Sequence, residues 1–129
     1  MSEPVKTDFG IFYPVGYIVA GFPTASQAQK VQADLVTGGY SDDDVKLRTS
    51  QQVIDDSQKN LDEHTGFFAR LGTSDEAVQT HLDAAKHGAT LLLIYAPNDI
   101  EADRAMNVVR RQPFVFAHRY HRLAIEDLK

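Results

Sequence analysis

Residues 88–97, GATLLLIYAP, are apolar without a break from Leu91 to Ala96, and no other stretch limits the fold so tightly. A short apolar run fits a buried strand or a piece of buried helix. Here Gly88 precedes the run and Pro97 follows it, two residues that break regular structure, and the length is that of a strand. A strand apolar on alternate residues needs one covering layer, whereas one apolar at every residue needs two. Burying Leu91, Leu92, Leu93 and Ile94 is worth roughly 1.5 to 3 kcal/mol each. The run reads as a central strand, and something must lie on each of its faces.

Residues 15–22, VGYIVAGF, share this property, and Pro23 ends them. Thr24 and Gln27 have capping-box spacing, in which two side chains satisfy free backbone donors at a helix start. Ala25, Ala28, Val31 and Leu35 then form one helical stripe that stops at Gly38 and Gly39. Val45, Leu47 and Thr49 alternate with Lys46 and Arg48, the pattern of an edge strand wet on one side. The preceding Asp42, Asp43 and Asp44 read as a solvated turn, because consecutive carboxylates diverge and no calcium-loop pattern surrounds them. Residues 50–73 read as an irregular, partly helical insertion capped by Ser50, with Phe67 and Phe68 in need of cover.

Thr73 and Glu76 open a helix that closes at Gly88, with Ala77, Val78, His81, Leu82 and Ala85 as its buried stripe. After the central strand, Asn98 and Glu101 open a last helix whose inward residues are Ala102, Ala105, Met106 and Val109. Residues 114–120 make the final strand, with Phe114, Phe116, His118 and Tyr120 on one face.

This order predicts the α+β class and a ferredoxin-like βαββαβ plan. It comprises an antiparallel four-stranded sheet, helices on one face, a helical insertion after the second strand, and the first and third strands in the middle. Residues 1–14 read as an N-terminal arm, 15–121 as a single domain containing the 50–73 insertion, and 122–129 as a C-terminal tail. The arm, with Phe9, Ile11, Phe12 and Tyr13, leaves two readings: a poorly ordered segment or a strap on a neighbouring subunit. A single-layer plan leaves the second face of the two apolar central strands bare. The expected cover is a second subunit packed sheet to sheet in a two-fold dimer, with the insertion as the alternative.

The 129 residues contain no cysteine, which excludes a disulfide scaffold, a thiol nucleophile and Cys-ligated metals. A net charge of -5 gives no electrostatic reason for a nucleic-acid partner. No segment approaches the roughly 20 apolar residues of a membrane span. The acidic, proline-containing N-terminus lacks signal-peptide character, so a cytoplasmic location and no membrane partner are expected.

His118 and His121 form H-x-x-H, but on a strand an offset of three sends the two rings to opposite faces, against a shared metal ion. His87 follows Asp83 by four residues, the spacing of a surface pair, and His64 lies in the polar insertion. His81 sits on an apolar stripe, where a histidine is ordinarily a hydrogen-bonded core residue. No glycine-rich phosphate loop or nucleophile elbow is present, and no cofactor or metal is expected. If a small molecule binds, the candidate residues are His81, Tyr95, His118 and Tyr120.

Two stretches carry a resemblance: YIVAGFPTASQAQKVQADLVTGGYSDDDV and DEAVQTHLDAAKHGATLLLIYAPNDIEADRAMNVVRRQPFV. Over Tyr17 to Val45 and Asp75 to Val115 the chain resembles the bacterial heat-induced general stress proteins, the YflT-like family. The resemblance implies a bacterial, stress-associated, cytoplasmic protein, and it transfers no catalytic residue. The insertion and the A-H-R-Y-H-R end depart from the pattern. The combined reading leans away from an enzyme, toward a homo-oligomeric binding or interaction module. The alternative is a small-ligand sensor or enzyme on a dimeric ferredoxin-like scaffold, with a pocket near His81 and His118.

Overall fold

The computed structural model describes residues 16–55, 75–121 and 125–129. The N-terminal arm, His64, Phe67, Phe68 and the Thr73 cap lie outside them, as do the side chains of Ala77 and Val78. In chain order the elements are β1 (Tyr17–Phe22), α1 (Ala25–Thr37), a 3-10 turn (Asp42–Asp44), β2 (Val45–Arg48), α2 (Asp75–Lys86), β3 (Thr90–Tyr95), α3 (Asp99–Val109), β4 (Phe116–Tyr120) and β5 (Ile125–Asp127). Residues 50–55 are also helical.

Side-chain caps open the helices as the spacing predicts. Thr24 Oγ1 accepts from the Gln27 backbone N–H at 3.2 Å, and Asn98 Oδ1 accepts from that of Glu101 at 2.9 Å. Ala28, Val31 and Leu35 of α1 are buried, but Ala25 is exposed. The helix at 50–55 corrects the expected cap. Thr49, not Ser50, performs the exchange: Gln52 N–H donates to Thr49 Oγ1 at 3.1 Å and Thr49 N–H to Gln52 Oε1 at 2.8 Å. Because β2 stops at Arg48, Thr49 is free to leave the sheet and act as a cap. At the far end of α2, Gly88 takes φ +90°, a left-handed conformation that stops the helix just before β3.

The sheet order is β2-β3-β1-β4-β5, antiparallel throughout. The two strands apolar at every position, β1 and β3, pair with each other near its middle. The expected four strands are five, because residues placed in a C-terminal tail form β5. Asp127 lies opposite His118, Glu126 opposite Arg119 and Ile125 opposite Tyr120. A bare β4 edge would leave backbone donors and acceptors unpaired, and the returning chain satisfies them. Three residues, Ile-Glu-Asp, are too few to show strand periodicity.

Helices α1 and α3 pack on one face of the sheet, over Ile18, Ala20, Phe22, Leu92, Ile94 and Ala117. The other face carries Tyr17, Val19, Leu91, Leu93, Phe116 and Tyr120, packed with Val53 from 50–55 and with Ala84 and Ala85 of α2. Both covering pieces belong to the connection between β2 and β3. This face is therefore covered within one chain, in part by the insertion expected as the alternative to a sheet-to-sheet dimer: Tyr17, Val19, Leu91 and Leu93 are at most 1% exposed. A second sheet would first have to displace that cover. Phe116 contributes from within the sheet. It lies opposite Gly21, and a Cβ on that glycine would stand 2.5 Å from the Phe116 ring. The aromatic ring thus lies directly against glycine backbone. Phe114, expected on the same face as Phe116, instead packs with the α1 and α3 side. The chain bends at Val115 before β4 begins, so strand alternation does not reach back to it.

With both faces covered internally, light scattering at micromolar protein should return one copy, 14.4 kDa. A persistent dimer lost only on unfolding would contradict the internal cover.

Candidate functional site

Alternation along β4 sends its residues to two different environments. Phe116, His118 and Tyr120 face α2, while Ala117 and Arg119 face α1 and α3, as fixed by the pairs Val19 with His118 and Ile18 with Arg119. His81 approaches the first group from α2. It is fully buried, and its Nε2 lies 2.9 Å from the Tyr120 hydroxyl. The ring stacks on Phe116, with centroids 5.0 Å apart and planes at 21°. The His118 ring is 5.8 Å away.

Burial, reinforced by His118, pushes the His81 pKa down to about 3, so the ring is neutral near pH 7. His118 is also pushed down by burial, against an opposing pull from Asp127. Its Nε2 is 3.8 Å from Asp127 Oδ1, beyond a direct hydrogen bond. Its Nδ1 is buried and has no hydrogen-bond partner among the described residues.

Three of the four candidate ligand residues, His81, His118 and Tyr120, are therefore together. Tyr95 is not part of this aromatic group. Its ring packs on Tyr17 of β1, with centroids 5.2 Å apart, and burial followed by Asp44 and Tyr95 raises the Tyr17 hydroxyl to about 12. Chemically, the His81 group is a packed core cluster, with Phe116 on one face of the imidazole and Tyr120 at its edge. Outside the cluster, His87 Nδ1–H donates to the Asp83 backbone carbonyl at 2.8 Å, where the spacing had predicted a side-chain pair.

A second constellation forms on the α3 side and was not read from the sequence. Arg119, with a side chain only 9% exposed, donates through Nη1 to Asp99 Oδ1 at 2.7 Å. That bond, together with the charge of Arg119, holds the Asp99 carboxyl below its ordinary value. His121 Nε2 pairs with Glu126 Oε1 at 2.9 Å, and Arg110 Nε–H donates to the Lys129 carbonyl at 2.8 Å. These groups line a cleft of about 450 Å³ between α3, β4 and β5, floored by Ala102, Met106 and Leu128. A signal existed: Arg119 is a charged residue on an inward strand position beside Ala117. The partners that give it meaning come from α3 and β5.

His118 and His121 take different partners, Asp127 and Glu126, on opposite faces of the β4–β5 pair. Among the described residues no three His, Asp or Glu side chains are grouped to hold a metal ion, and no helix is long and apolar enough to cross a membrane. Comparison with known proteins found no matching family model, curated protein or solved structure.

The His81 environment predicts a pH dependence. The unfolded chain takes up a proton as pH falls through 6.5, whereas folded His81 resists until about 3. Stability is therefore full above the unfolded value and declines as pH falls between the two. His118, lowered in the same direction, adds to the slope. Urea unfolding from about pH 7 to about pH 5 should show a falling midpoint, with a shallower fall in His81→Gln. An equal slope in both proteins would contradict a neutral, buried His81.

Proposed function

We propose that this chain is a non-enzymatic binding module whose site is the charged cleft between α3, β4 and β5. The contrast between its two titratable clusters carries this reading. General acid–base chemistry at the His81 cluster would need a titratable group within reach of a substrate, whereas the accessible groups of the cleft are already paired, Asp99 with Arg119 and His121 with Glu126. His81 is fully buried and held neutral against Phe116 and Tyr120, so the pocket reading near His81 and His118 loses its central residue to packing. In the cleft, Asp99 is 91% exposed while its partner Arg119 is buried. An ion pair with one exposed member can exchange that member for a ligand group.

A mixture of small charged metabolites, titrated while backbone amide signals are followed by NMR, tests the site. Shifts should centre on Asp99, Arg119, His121 and Glu126. Shifts centred on His81 and Tyr120 would overturn the reading in favour of the buried pocket.

The bacterial, stress-associated setting belongs to the same proposal and rests on the resemblance over Tyr17 to Val45 and Asp75 to Val115. The protein's level in its host should rise after heat shock. A constant level would remove this part of the proposal and leave the cleft untouched.

A further inference from the structure

We infer that the cleft takes a small zwitterion, an α-amino acid, with its carboxylate on Arg119 and its ammonium among the neighbouring carboxylates. The inference rests on the reading of the cleft as the binding site and adds the class of ligand.

Arg119 is the starting point. A guanidinium carries five N–H donors in a planar fork suited to bidentate capture of a carboxylate. Arg119 uses one of its nitrogens, Nη1, on one oxygen of Asp99. A buried cation is costly unless well paired, and this one is held by a side chain that is itself 91% exposed. Asp99 lies in the first turn of α3 and can swing into solvent without disturbing the core. A ligand carboxylate entering the cleft would meet the fork in the place Asp99 now occupies.

The surrounding charge selects among ligands. Asp99, Asp103 and Glu126 line the cleft along with Arg110 and Arg119. Arg110 is already committed to the Lys129 carbonyl, and His121 to Glu126. A purely anionic ligand would reach Arg119 only past three carboxylates, and a purely cationic one would sit against a buried guanidinium. A molecule with both charges close together satisfies both, because its ammonium replaces the positive charge that Asp99 loses on leaving Arg119. Ala102, Met106 and Leu128 are the apolar members of a mostly polar lining, and about 450 Å³ is ample for one amino acid.

The test is an amide NMR titration of the whole chain with L-leucine and its two half-charged analogues, 4-methylpentanoate and 3-methylbutylamine. Leucine should shift signals around Arg119, His121 and Leu128 and bind at least about tenfold more tightly than either analogue, since each analogue leaves one charged partner unmatched. Arg119→Met should weaken leucine binding by at least about tenfold. Because Arg119 is buried, the partly exposed Glu126→Gln serves as a second variant. It should keep the native spectrum and still weaken leucine binding. Equal binding of leucine and either analogue would overturn the zwitterion assignment while keeping the cleft as the site. Silence with all three, set against shifts at the cleft from the metabolite mixture, would also overturn the assignment alone. Silence in both experiments would remove the assignment and the site together.

Discussion

Two adjacent strands that are apolar on both faces impose the main condition on this protein. Ile18, Ala20 and Phe22 point one way and Tyr17 and Val19 the other, with Leu92 and Ile94 opposed in the same manner to Leu91 and Leu93. Each leucine or isoleucine left in water would forfeit roughly 1.5 to 3 kcal/mol, a large share of the net stability of a domain this size. One layer of helices meets half of that requirement. The other half is met by two pieces of the connection between β2 and β3, residues 50–55 and α2, the latter crossing the far face. That crossing brings His81 over β4 and seals it against Phe116 and Tyr120.

The same condition separates the chemistry of the two faces. On the α2 side, a histidine that titrates near neutrality in water is turned into a neutral packing residue, because desolvation disfavours its charged form. On the α3 side, β5 extends the sheet past β4, and Arg119 lines a cleft between strand and helix. Arg119 and His118 are neighbours in sequence and face opposite sides of the sheet. Strand alternation sends one ring into an aromatic core and one guanidinium toward the cleft beside α3.

Much of the fold could be read directly from residue order. The Thr24 and Asn98 caps, the Gly88 stop, the helical stripes and the central position of β1 and β3 follow from local rules with a range of three or four residues. Those rules fail where the deciding partner is distant. Thr49 looks like a strand residue until β2 is seen to end one residue earlier. Phe114 belongs to the β4 pattern until the bend at Val115 breaks it. β5 is invisible as Ile-Glu-Asp and exists because β4 offers an unpaired edge. The candidate site was legible only in part: His81, His118 and Tyr120 do meet, Tyr95 pairs elsewhere, and the Arg119 cleft joins groups from three elements.

By itself, the sequence determined that two strands must be buried on both faces, since burial of apolar side chains depends only on their chemistry and on the two-residue period of a strand. It also determined that thiol chemistry is absent and that His118 and His121 point apart. Tertiary structure alone decided what covers the second face, because a second subunit and the chain's own β2–β3 connection satisfy the hydrophobic requirement equally well. It alone decided which polar groups are exposed at the cleft, because the exposure of Asp99 and the burial of Arg119 depend on how α3 and β5 are set against β4.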